Sequence, residues 1–117
     1  MNFFEITYPF MISGFHSAYH YQWDNTFTFE GESHNFWEIV CVLSGEVECA
    51  EDQNIYNLRA GNLICHAPME FHRIRSSGGT FPCVLILSFE HQGTLPSKLS
   101  EGIFALSSIE TLEFQSI

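Results

Sequence analysis

From Phe27 to Phe89 the chain is a succession of short, β-prone apolar runs, each closed by turn-forming residues. Phe27-Thr28-Phe29 alternates and ends at Gly31, and Ile39 to Leu43 stops at Ser44-Gly45. Val47-Glu48-Cys49 leads into Glu51-Asp52-Gln53-Asn54. Ile55, Tyr56 and Leu58 precede Gly61-Asn62, and Leu63 to Ala67 halts at Pro68. Phe71 to Arg75 alternates up to Ser76-Ser77-Gly78-Gly79, and Cys83 to Phe89 is a long β-prone run. Turns at such regular, short spacing predict an all-β sandwich or barrel. The one helix start is Ser107-Ser108-Ile109-Glu110, which fits a capping box and is followed by apolar Leu112 and Phe114. No C-cap precedes Ile117, so the spacing predicts a helix cut short, with a barrel over residues 1–106 and the beginning of that helix over residues 107–117.

A chain of 117 residues supplies one core. Hydrophobic residues make up 45% and charged residues 15%, which excludes global disorder. Acids outnumber bases 14 to 4, for a formal charge of −10. With only Lys98, Arg59, Arg73 and Arg75, the chain cannot cover a nucleic-acid backbone or anchor electrostatically to a membrane. No segment has the apolar length to span a bilayer, and the N-terminus lacks the basic start of a signal peptide. Cys41, Cys49, Cys65 and Cys83 form no C-x-x-C pair and lie in apolar stretches, as reduced core thiols of a cytoplasmic protein would.

The chemistry concentrates in two segments. Glu32 and His34 are two apart and share a face on a strand. Glu38 lies four residues beyond His34, roughly 13 Å away on a straight strand. The two converge only if the chain bends at Asn35-Phe36-Trp37. The second segment runs from Gly61 through His66, turns at Pro68-Met69-Glu70 and returns at His72. If Glu38, Val40 and Val42 face inward, Ile39, Cys41 and Leu43 face outward and are also apolar. A strand apolar on both faces is buried on both sides, its outer side under helices or under a second subunit.

These segments resemble the two cupin motifs. His34, Glu38 and Gly45 fit the second His, the Glu and the closing Gly of G-x5-H-x-H-x3-E-x6-G, with Glu32 in place of the first His. Gly61 and His72 fit G-x5-P-x-G-x-x-H, with Ala67 for the Pro and Met69 for the Gly. The wording around both motifs is similar to the N-terminal sensor of AraC-family transcriptional regulators: His34-x-Phe36-Trp37-Glu38-Ile39-Val40, Val42-Leu43-Ser44-Gly45-Glu46, Leu58-x-Ala60-Gly61-Asn62-Leu63-Ile64 and Pro68 to Arg73. The resemblance implies a double-stranded β-helix, a jelly-roll barrel that binds a small effector, often a sugar. It also implies a homodimer formed through a linker helix, and DNA contact only through a helix-turn-helix domain absent from this chain.

On that reading Glu32, His34, Glu38 and His72 line a ligand pocket with no catalytic residue. The same four side chains form a donor set for Zn, Mn, Fe or Ni, although AraC-type sensors do not require a metal. The alternative is a small metal-dependent cupin enzyme, a dioxygenase or sugar isomerase. Trp23 and Trp37 are the candidates for stacking on a ligand, against core packing as the other role. His16, His20, His66 and His91 have no paired spacing and read as structural or surface residues. Arg73 and Arg75 are expected to face outward if His72 faces in.

Overall fold

The computed structural model describes residues 10–93 and 102–107. Among the described residues nine strands run in order: β1 (Phe10–Gln22), β2 (Thr28–Glu32), β3 (Trp37–Ser44), β4 (Glu46–Glu51), β5 (Asn54–Arg59), β6 (Asn62–His66), β7 (His72–Ser76), β8 (Cys83–Gly93) and β9 (Ile103–Ala105). They form a five-stranded sheet, ordered β1-β8-β3-β6-β9, and a four-stranded sheet, ordered β2-β7-β4-β5. All pairings are antiparallel, and the described residues contain no helix. The runs read from the sequence became β2 to β8. The N-terminal segment adds a long edge strand on β8, and β9 closes the other edge. The helix expected after Ser107 lies outside the described residues.

Alternation builds the core. Val40 and Val42 of β3, with Ile64 of β6 and Val84 of β8, meet Val47, Cys49, Leu58 and Ile74 of the other sheet. Burying side chains of this size contributes about 1.5–3 kcal/mol each. The opposite face of β3 is apolar too, and Cys41, Leu43, Leu85 and Leu87 form a second cluster with Ile39, Leu63 and Leu106 packed against it. The both-sided burial of β3 therefore holds. Its outer cover comes from this chain itself: Cys41 and Leu85 are fully buried in the single protomer. Within the protomer, Leu106 packs on the outer cluster of Cys41, Leu43, Leu85 and Leu87.

Gly45 lets the chain pass from one sheet to the other. It has φ +75°, and a Cβ there would stand 2.8 Å from the Pro82 Cα. On β7, His72, Ile74 and Ser76 are buried while Arg73 and Arg75 are exposed, as the alternation requires. The Arg75 guanidinium pairs with Glu48 at 2.9 Å on the outer surface.

Candidate functional site: a two-histidine, two-glutamate floor beneath an aromatic-walled cavity

Four chain segments converge on one point. Between β2 and β3 the backbone bends at Asn35 and Phe36, so His34 folds back onto Glu38. On β2 the register slips between Phe29 and Glu32, placing Glu32 opposite His72 of β7. Such a bulge re-aims the side chain that follows it. Gly31 makes the slip feasible: it has φ +124°, and a Cβ there would collide with the Phe71 ring. The Met69 amide donates to the His34 carbonyl, tying the second segment to the first.

The four predicted site residues meet, and one donor atom from each lies within 4.8 Å of all the others. His34 Nε2 is 2.7 Å from Glu38 Oε2 and 3.8 Å from Glu32 Oε1. His72 Nε2 is 3.7 Å from the same Glu38 oxygen and 3.9 Å from the same Glu32 oxygen. Backbone carbonyls orient both imidazoles: His34 Nδ1 lies 3.0 Å from the Phe36 carbonyl and His72 Nδ1 lies 3.1 Å from the Glu70 carbonyl. With Nδ1–H donated to the backbone, each ring turns Nε2 toward the carboxylates, the orientation typical of metal-binding histidines. The buried His72 Nε2 has no hydrogen-bond partner. Ligands bonded to one ion at about 2 Å stand no more than about 4 Å apart, so the measured separations and the unpartnered nitrogen suit a divalent cation.

Electrostatics agrees with the geometry. Burial opposes ionisation of Glu38, yet His72 and His34 beside it hold its carboxyl below the usual range. Burial likewise opposes charge on His72, and the neighbouring Glu38 outweighs it, raising that imidazole above its ordinary value.

Above this floor opens a cavity of about 310 Å³, lined by Glu32, Glu38, His66 and His72 at the polar end. Val40, Ile74 and Ile86 and the aromatic rings of Tyr21, Trp23, Phe27 and Phe29 form its walls. Small-molecule sites have this make-up, with apolar walls and a few convergent polar groups. Trp23 is on the wall as expected, but its ring already stacks on Phe27, with centroids 4.0 Å apart, and on Tyr21 at 5.6 Å. Trp37 does not line the cavity. It lies on the face of β3 opposite Glu38 and stacks on Phe89 of β8, so its assignment to the pocket is corrected.

The structure adds residues that the sequence reading left out. His66 was read as structural or surface, yet it is a buried wall of the cavity and sits opposite Glu38 in the β3–β6 ladder. Its Nδ1 lies 2.7 Å from Glu51 Oε1 and 3.5 Å from Glu70 Oε1, a second carboxylate–imidazole group behind the floor. Burial, with the charge of His72, pushes His66 down to about 4. Burial and the adjacent Glu51 push Glu70 up to about 7. The signal for Glu51 was present: Val47, Cys49 and Glu51 are two apart, which puts an acid on the core face of β4.

Two packed antiparallel sheets with a polar centre at one end of a jelly roll define a cupin barrel, the fold that solved cupin structures share with this chain. The chain belongs to the AraC-like ligand binding domain family, which residues 14–92 match. Comparison with curated protein sequences finds no match. Among solved structures, the chain is similar to a conserved protein of unknown function from Streptococcus pyogenes (21% identity, TM-score 0.55, 61% of each chain covered). It is also similar to ToxT from Vibrio cholerae (11% identity, TM-score 0.60, 96% of this chain and 47% of that one). A third is Bacillus subtilis oxalate decarboxylase, described with Mn(II) centres (15% identity, TM-score 0.55, 76% of this chain and 23% of that one). The chain thus spans less than two thirds of the length of each of these relatives. No described helix is long and apolar enough to cross a membrane.

Proposed function

We propose that this chain is the effector-binding regulatory domain of a transcriptional regulator, without catalytic turnover. The carrying observation is the cavity, apolar-walled with a polar floor, in a member of a ligand-binding family. A small molecule with a polar head and a compact body, a sugar in the first instance, seats its head on Glu38, Glu32 and His72. Its body lies against Val40, Ile74 and Trp23. The wall includes Tyr21 on edge strand β1, so an occupant touches both the barrel floor and the arm beside it. Binding then favours whichever arrangement of arm and partner subunit fits the ligand better, and differential affinity is all that such a switch requires. The regulator acts as a cytoplasmic homodimer and reaches DNA through a domain outside this sequence, since a formal charge of −10 makes the barrel itself a poor partner for phosphates.

Glu32, His34, Glu38 and His72 would hold a divalent ion, Zn, Mn, Fe or Ni, and a bound ion would supply a Lewis-acid contact for an oxygen of the ligand. The unpartnered His72 Nε2 also favours a second reading, a metal-dependent cupin enzyme of dioxygenase or isomerase type. A thermal-shift screen of sugars and small metabolites, followed by a reporter assay with the regulator carrying its DNA-binding domain, separates the two. Stabilising ligands that alter reporter output and are not consumed support the sensor. Turnover of a screened compound, abolished by His72→Ala, supports the enzyme.

A further inference from the structure

Three of the four floor donors stand on strands. Glu32 ends β2, Glu38 lies in β3 and His72 opens β7, so the sheets fix their backbones. His34 does not: it lies in the connection from β2 to β3, just before the bend at Asn35 and Phe36. A donor on a connection is only as precise as the contacts that lock its side chain. The Met69 amide holds the His34 carbonyl, which secures the backbone but not the ring. The polar contacts of the ring, the Phe36 carbonyl at Nδ1 and Glu38 at Nε2, both act at its edge. Two edge contacts leave the ring able to rock about the line between them, and a flat surface on one face stops that motion. The Phe36 side chain is that surface. Its ring lies on the His34 ring with centroids 4.0 Å apart and planes 3° from parallel. His16 of β1 backs Phe36 at 5.0 Å and is itself paired with Glu90 of β8 at 3.1 Å.

We propose that Phe36 is a positioning residue of the divalent-ion site: its ring holds the His34 imidazole in the orientation that aims Nε2 at the centre of the floor. Phe36 does not line the cavity, so it acts through His34 and not on a ligand. The inference rests on the reading of the floor as a cation site and goes beyond it, because the Phe36 side chain offers no donor atom. Groups that orient metal ligands in this way matter almost as much as the ligands, and losing one lowers affinity by about 10- to 100-fold.

Titration calorimetry with Zn2+ and absorption spectra with Co2+, whose visible bands report coordination geometry, test this. Phe36→Leu keeps the apolar bulk and the backbone carbonyl but removes the flat face, whereas Phe36→Tyr keeps the face. The Leu variant is expected to bind Zn2+ roughly tenfold more weakly and to show altered Co2+ bands, and the Tyr variant to match the unaltered chain. Proton spectra of the unaltered Zn2+ complex read the stack without any substitution: the His34 ring protons are expected upfield, in the ring current of Phe36. Unshifted His34 protons, or a folded Leu variant with unchanged affinity and bands, overturns the role of Phe36 and leaves the ion site standing. Equal weakening in the Leu and Tyr variants overturns it too, since the flat face would then not be what matters. Neither Zn2+ heat nor Co2+ bands with the unaltered chain overturns the ion reading and the proposal together.

Discussion

The imidazoles of His66 and His72 lie flat on one another, with ring planes 5° from parallel. Their surroundings nonetheless shift their proton affinities in opposite directions. His72 faces Glu38 and Glu32 and is raised, while His66 is lowered by burial and by the charge of its neighbour. The stack thus divides the interior into a cation-favouring floor and a neutral wall.

Added Zn2+ or Mn2+ is expected to raise the melting temperature of the unaltered chain by several degrees and to leave His34→Ala and His72→Ala unmoved, because each variant removes one of the two Nε2 donors. A ligand bound at a hundred times its dissociation constant stabilises the fold by about 2.7 kcal/mol. Elemental analysis of protein purified without chelator reads the same claim independently. Equal shifts in all three proteins would place the ion elsewhere.

Met69 occupies the position where the second cupin motif carries Gly, and it has φ +65°. A side chain there is strained, and at 67% exposure it has little packing to lose. Met69→Gly is expected to stabilise the fold by roughly 0.5–1 kcal/mol, after the greater unfolded-state freedom of Gly is subtracted. Chemical unfolding checks this, and a loss of stability would show that Met69 contributes contacts its exposure does not suggest.

Glu70, pushed up to about 7, keeps a proton in the folded state that the unfolded chain releases near its ordinary value of 4.5. The folded state binds more protons between those values, so this group's contribution to stability is present at low pH and fades as pH rises toward 7. Glu70→Gln removes the dependence. The variant is expected to gain on the unaltered chain between pH 5 and pH 8 in urea unfolding, and parallel pH profiles would contradict the assignment.

The four cysteines are free thiols. Burial pushes Cys41 up to about 11, and burial with nearby acids pushes Cys49 and Cys65 up to about 12, so all three are poor nucleophiles in the fold. Half-buried Cys83 is expected to label first with iodoacetamide under native conditions, by peptide mass spectrometry. Early labelling of Cys49 would mean that the barrel opens more readily than its packing implies.

Strands β2 to β8 were legible because turn residues separate their apolar runs, most of which the fold buries from β3 onward. Strand β1 was not, since register shifts at Ile12/Gly14 and Phe15/Ser17 break the two-residue period and a run such as His16 to Gln22 is largely exposed. Strand β9, from Ile103 to Ala105, is too short to leave a pattern. The floor was legible because Glu32, His34, Glu38 and His72 keep the spacing of the two motifs even though Ala67 and Met69 depart from them. His66 and Glu51 meet only through the pairing of distant strands, which no local spacing reports. Trp37 shows where two cues conflict: proximity to the motif suggested the pocket, whereas the alternation that turns Glu38 inward turns Trp37 out.

The central claim, that the cavity over Glu38 and His72 is a small-molecule effector site, is tested most directly by a crystal structure of the chain with the strongest stabiliser from the thermal-shift screen. The account predicts one ordered molecule between the walls of Val40, Ile74 and Trp23, its polar head on the Glu38 and His72 floor. Density for that molecule only outside the barrel, with the cavity side chains unmoved, would contradict it.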